Sequence, residues 1–196
     1  CFVSAALHRL HLFGAPIDSG MRRSDPQERM RCFVAAWPDE PTRIALASLS
    51  NDVRQRIEHR RAARADDLHL TLAFIGDLAE EVAFDLADSV AKLRFKPFAW
   101  QLDTLGFFEE AGVVWVGPAD KTVSPLAELA ERARALLDQM NVAYDRKPLA
   151  PHVTLLRGVK RFAAERVAPI LWRIESIALY RSAPARQASR YVRVTP

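Results

Sequence analysis

The chain has five histidines in 196 residues. Two of them open the same short pattern, His-x-Thr-Leu, in opposite halves: His69-Leu70-Thr71-Leu72 and His152-Val153-Thr154-Leu155. An imidazole and a hydroxyl two residues apart suit chemistry at phosphorus. In a β-strand alternate side chains share a face. His69 and Thr71 then point one way while Leu70, Leu72 and Phe74 point to the core, and His152 and Thr154 oppose Val153 and Leu155. If a pseudo-twofold axis relates the two strands, two imidazoles and two hydroxyls converge on one small volume. Histidine titrates near ~6.5, so one ring can be neutral and take a proton from an attacking hydroxyl or water, while a protonated partner gives one to the leaving oxygen. The threonine hydroxyls can donate to the non-bridging phosphate oxygens. Neither a metal nor a cofactor is required.

Either motif alone reads as an ordinary strand histidine, and the duplication turns the balance toward function. His8, His11 and His59 lack such context and read as surface residues. Zinc has less support, because a catalytic site wants a third protein ligand. The sequence holds no His-Glu-x-x-His, no cysteine pair and no acidic cluster joined to these strands. Gly-rich phosphate loops are absent too, since Gly106, Gly112 and Gly117 mark turns.

The elements that must position these motifs follow from periodicity. Patterned sequence begins at Met30. The preceding residues 1–29 read as an extension, and 30–196 as one domain. Strands are expected at Cys32 to Trp37, Leu68 to Ile75, Phe98 to Phe108, Val113 to Gly117 and His152 to Leu156, with closing strands over Leu171 to Tyr180 and Arg190 to Val194. "EEAG" joins the third and fourth as a hairpin. Helices are expected over Thr42 to Arg60, Glu80 to Leu93 and from Ser124-Pro125 to about Met140, with a short one over Ala163 to Pro169. Residues 62–67 read as a polar loop. The halves share a plan, and 83 residues separate His69 from His152, which suggests internal duplication.

Net charge is +4 and the pI is about 9.4. The excess is arginine, clustered at Arg54, Arg56, Arg60, Arg61 and Arg64 and again at Arg181, Arg186, Arg190 and Arg193. Arginine favours planar bidentate partners such as phosphate. On a helix, the first cluster serves equally well to attract an RNA backbone or merely to solvate a face. Two cysteines, Cys1 and Cys32, build no disulfide framework and point to a reducing, cytoplasmic setting. No run approaches the ~20 apolar residues of a membrane span, and His8, Arg9 and His11 interrupt the only candidate leader.

The paired "HLTL" and "HVTL" motifs resemble those of the two-histidine phosphoesterase superfamily. Within it the chain is most similar to the bacterial RNA 2′,3′-cyclic phosphodiesterases, also called the 2′-5′ RNA ligase family. "MRCFVAAWPDEPTR" resembles that family's opening strand and turn, "DDLHLTLAFIGDL" its first motif and "PHVTLLRG" its second. The resemblance implies an α/β (α+β) fold, bilobed and pseudo-twofold, with two antiparallel sheets flanked by helices around a central cleft. It implies metal-independent opening of a 2′,3′-cyclic phosphate, on RNA ends or small cyclic nucleotides, to a 2′-phosphate. It makes His69 and His152 the acid/base pair, Thr71 and Thr154 the phosphate ligands, and Arg157 a further phosphate ligand. Strict alternation points Arg157 away from His152, so it serves only if the strand ends or twists at Leu156. The same site would also join RNA ends through a 2′-5′ linkage, and a basic cleft without catalysis would make an RNA-binding module. A bilobed chain completes its own cleft, so a monomer is expected.

Overall fold

The computed structural model describes residues 29–119, 124–183 and 189–195. Residues 1–28 of the expected extension, with His8, His11 and Cys1, lie outside them, as does Arg186.

The strands are β1 (Arg29–Ala36), β2 (Arg61–Ala62), β3 (Leu70–Ala79), β4 (Phe98–Phe108), β5 (Val113–Gly117), β6 (Val153–Arg157), β7 (Glu165–Ile174), β8 (Ala178–Ser182) and β9 (Tyr191–Arg193). The helices are α1 (Glu40–Arg56), α2 (Glu80–Ala91) and α3 (Ser124–Gln139), and Ala65–Asp67 forms a turn of 3₁₀ helix. The fold is α+β, and every strand pairing is antiparallel.

The strand order is β7-β4-β5-β6-β3-β1-β8-β9, with β2 added beside β6. It divides into two four-stranded halves that meet where the two motif strands meet. There β3 and β6 share a single pair, Leu70 with Val153. Both residues are fully buried, so the chain's two chemical motifs begin from one packed joint. In place of the two separate sheets expected from the sequence, the described strands form one continuous nine-stranded sheet whose halves are joined through that pair.

Local chemistry explains the elements. Asp39 caps α1 by accepting from the Thr42 amide at 3.1 Å, and Pro41 sits in the first turn, where its missing N–H costs nothing. Leu46 and Val53 of α1, Leu86 and Val90 of α2, and Leu126, Leu129 and Leu137 of α3 are buried against the sheet. The β4–β5 hairpin turns at Glu109 to Gly112, where Gly112 takes a left-handed φ of 60°.

Three more expectations are corrected. The helix expected to reach Arg60 stops at Arg56, because the Arg60 amide donates to the Arg157 carbonyl at 3.0 Å and Arg61–Ala62 then pairs with β6. Ala163 to Pro169 is not a helix. All of it but Ala163 and Ala164 lies in β7, which pairs along β4. The β4–β7 register breaks between Leu102 and Thr104, opposite the stretch holding Pro169, and a bulged edge strand tolerates a residue without an amide hydrogen. Leu171 to Tyr180 is two strands, because β7 pairs with β4 in one half and β8 with β1 in the other.

Candidate active site

A cavity of about 280 Å³ opens over the joint between β3 and β6, and its walls include His69, Thr71, His152, Thr154 and Arg157. All five residues singled out in the sequence therefore come together.

The two histidines are held alike. His69 Nδ1 lies 2.6 Å from the Asp67 carbonyl oxygen, and His152 Nδ1 lies 2.6 Å from the Ala150 carbonyl oxygen. A carbonyl only accepts, so each Nδ1 carries a hydrogen and proton exchange falls to each Nε2. In both copies the carbonyl belongs to the residue two places before the histidine, where the chain is entering the strand.

The hydroxyls and the residues beyond them reach the cavity through paired irregularities. In β3, Ala35 pairs with Thr71 and Val34 with Ala73, which leaves Leu72 as an extra residue. In β6, Trp115 pairs with Thr154 and Val114 with Leu156, which leaves Leu155 extra. Each bulge lets two successive residues turn inward: Leu72 and Ala73 in one strand, Leu155 and Leu156 in the other, all buried. The next residue then returns to the threonine's face. In β6 that residue is Arg157, which resolves the parity objection to it. In β3 it is Phe74, expected in the core but 37% exposed and part of the cavity wall. The guanidinium of Arg31 lies 5.0 Å from the centre of the Phe74 ring.

The surroundings of the two imidazoles differ. Trp37 stacks on His69 with ring centres 4.8 Å apart and planes 6° apart. Phe33 lies 5.1 Å away, and Tyr191 meets His69 edge-on at 5.0 Å. Tyr180 backs Trp37 at 4.2 Å. Burial in this cage pushes the His69 pKa down to about 4, outweighing the Asp67 carbonyl that favours the charged form. His152 has Phe108 edge-on at 4.9 Å. Burial lowers its pKa too, again against the pull of its backbone hydrogen bond, with Arg157 adding a smaller push in the same direction.

Sequence reasoning missed several residues of the wall. Arg31, Arg61 and Arg190 join Arg157 around the cavity. Burial and then the neighbouring Arg190 and Arg157 charges push the Arg61 pKa down. The expected arginine clusters thus divide: Arg61 and Arg190 face the cavity, while Arg56 pairs with Glu165. Asp67 is buried beneath. It accepts from Ser189 Oγ at 2.9 Å and from the Arg190 amide at 2.8 Å, and its other oxygen lies 3.9 Å from Arg190 Nε. One residue therefore orients His69 through its carbonyl and ties down the approach to β9 through its carboxylate. The Asp66-Asp67 pair before the motif was the available signal. Among the described residues, no three His, Cys, Asp or Glu side chains converge as a metal site would need. Cys32 is buried, which pushes its thiol up to about 11 and away from nucleophilic use.

Comparison with known proteins matches residues 38–186 to the 2′-5′ RNA ligase superfamily. The RNA 2′,3′-cyclic phosphodiesterase of Escherichia coli K12 is 30% identical over 165 residues, covering 78% of this chain and 93% of the relative. The protein of the same name from Thermus thermophilus is 32% identical over 166 residues, covering 78% and 82%. Among solved structures, E. coli LigT complexed with 3′-AMP superposes with a TM-score of 0.72 at 27% identity, covering 86% of this chain and 97% of that one.

Proposed function

The chain belongs to the 2′-5′ RNA ligase superfamily, and on that premise we propose that it opens 2′,3′-cyclic phosphates at RNA ends, or in small cyclic nucleotides, to leave a 2′-phosphate. One observation carries the assignment to particular residues. Two histidines from distant parts of the chain line one cavity, each with Nδ1 tied to a carbonyl and Nε2 left as the proton-exchanging atom.

In this reading the cyclic phosphate lies between the rings. A water attacks phosphorus, and its proton passes to Nε2 of His69, the ring that its cage keeps neutral. The P–O3′ bond breaks in line with the attack, and O3′ takes a proton from Nε2 of His152. Thr71 and Thr154 donate hydroxyl hydrogens to the non-bridging oxygens, and Arg157 stabilises the charge that grows there. Phe74 offers its exposed face to the terminal base. With the 5′-hydroxyl of a second RNA in place of the attacking water, the same groups and the same ring opening would join that hydroxyl to the phosphorus through a 2′-5′ linkage. Water's abundance makes hydrolysis the main outcome. One chain supplies every residue named, so the reading carries a monomer with it, and a free buried cysteine suits the cytoplasm. No helix among the described residues is long and apolar enough to cross a membrane.

The test is to incubate the protein, with excess EDTA, with 2′,3′-cyclic AMP and with RNA ending in a cyclic phosphate, and to identify the products. Ring opening to the 2′-phosphate should persist under EDTA. Loss on chelation would overturn the metal-free reading. RNA binding without turnover would reduce the cleft to a binding module.

A further inference from the structure

A second cavity, of about 230 Å³, is lined by Phe108, Trp115, Pro118, Pro148, Leu149 and Pro151 together with Ala150. Among the described residues, no charged side chain is in its walls. Two of its walls lie against His152 of the catalytic cavity: the Phe108 ring meets that imidazole at 4.9 Å and the Trp115 ring lies 6.4 Å from it.

The Trp115 indole is laid out as a platform. Gly106 faces it across the β4–β5 ladder, and a Cβ added there would overlap the ring. A Cβ on Gly117 would come within 3.0 Å of the same ring. Two glycines thus let the indole lie flat on the backbone of both strands. One face is supported from below, and Phe108, tilted 33° at 5.3 Å, forms the neighbouring wall. Such a slot suits a flat, uncharged, polarisable group and rejects a phosphate.

Resting on the cyclic-phosphate reading above, we propose that this slot binds the base of the penultimate nucleotide of the RNA end. The occupant follows from what surrounds it. The catalytic cavity takes the cyclic phosphate and, on Phe74, the base that belongs to it. The planar apolar group next along the strand is the neighbouring base, one nucleotide from the phosphorus held beside His152. Bases of single-stranded RNA stack readily on aromatic side chains, at roughly 1–3 kcal/mol each. The slot therefore makes the enzyme select an oligonucleotide end over a cyclic mononucleotide.

The experiment compares kcat/KM for three substrates: 2′,3′-cyclic AMP, a diadenylate ending in a 2′,3′-cyclic phosphate, and the same dinucleotide with its 5′ base removed. The abasic substrate keeps every phosphate, so it isolates the base. The intact dinucleotide should exceed the abasic one by about 5- to 150-fold in the wild-type protein, the range set by that stacking energy. Trp115→Leu should collapse this ratio and Trp115→Phe should retain it. Disturbance of His152 would lower all three substrates together and leave the ratio intact. If Trp115→Leu does not fold, the wild-type comparison and Trp115→Phe still decide. Equal rates on intact and abasic dinucleotides, or a ratio indifferent to Trp115→Leu, would overturn the inference. Failure of the wild type on all three would instead remove the cyclic-phosphate reading beneath it.

Discussion

The two halves carry one design with different surroundings. Each offers a histidine tied through Nδ1 to a carbonyl two residues back, a threonine on the same face, and a bulge immediately after the threonine. Around this shared frame the first half packs aromatic rings, with His69 against Trp37, Phe33 and Tyr191. The second half leaves His152 with Phe108 at its edge and Arg157 beyond the bulge. The frame sets where two Nε2 atoms stand, and the surroundings set how readily each holds a proton. A symmetric site would give two rings of one pKa. The proposed mechanism needs one neutral ring and one charged ring at the same moment; burial lowers the pKa of both, that of His69 inside its aromatic cage to about 4.

The largest expected effect tests the shared frame. His69→Ala and His152→Ala should each lower kcat on a cyclic phosphate by about 10²- to 10⁴-fold, measured in single-turnover assays with folding checked by circular dichroism. The double variant should fall little below the worse single one, because the pair acts as a unit. If one single variant keeps near-full activity, the halves are not chemical partners and the second copy is only a duplicated strand.

A smaller effect separates the positions just past the bulges, which are Phe74 in one half and Arg157 in the other. They hold the same place after equivalent bulges but differ in chemistry. Arg157→Ala removes a charge-assisted donor, worth about 1.5–3 kcal/mol, and should cost roughly 10- to 150-fold in kcat/KM on every cyclic phosphate, whatever the base. Phe74→Ala should cost a comparable or smaller factor on nucleotides. It should cost almost nothing on a ribose 2′,3′-cyclic phosphate that carries no base. Equal sensitivity of both variants to the base would mean that both positions read the nucleoside, and the division of labour would be lost.

The same bulges mark where sequence reasoning stopped. The His-x-Thr repeat, the hairpin and the three long helices were legible because period-2 and period-3.6 patterns persist there over many residues. Parity beyond the motif was not legible. One extra residue in each strand reverses it, and Leu72 and Leu155 look like any other strand leucine. That is why Phe74 read as core and Arg157 as facing away. The arginines of the cavity were visible only as clusters. Arg61 enters because the chain after α1 turns back to pair Arg61 and Ala62 with β6, and Arg190 because its amide is bound by Asp67; such long-range pairings have no local signature. The first part of β7, Glu165 to Pro169, read as a helix because Ala163 to Ala168 holds several helix formers, and pairing with β4 overrides that preference.

The smallest expected effect tests the surroundings alone. Trp37 lies parallel to His69 and is not among the described walls of the cavity that hold the threonines and Arg157. Replacing it with leucine keeps the position apolar but opens one face of the imidazole to water. Desolvation is the first cause of the low His69 pKa, so relieving it raises that pKa from about 4 toward the ordinary value near ~6.5. As the proton acceptor, His69 works only when neutral. A raised pKa therefore removes activity at low pH and leaves it at high pH. For a shift of about two units, kcat/KM at pH 5 should fall about tenfold and at pH 8 should hardly change. In the wild type the acidic limb of the bell-shaped profile should lie near 4. The check is a pair of kcat/KM profiles, with the His69 ring signals followed by NMR over the same range. Phe108→Leu, the matching change beside His152, should leave the acidic limb in place and move the alkaline one. If Trp37→Leu moves the alkaline limb instead, His69 is the proton donor, and the cage serves to make it a stronger acid once charged rather than to keep it neutral.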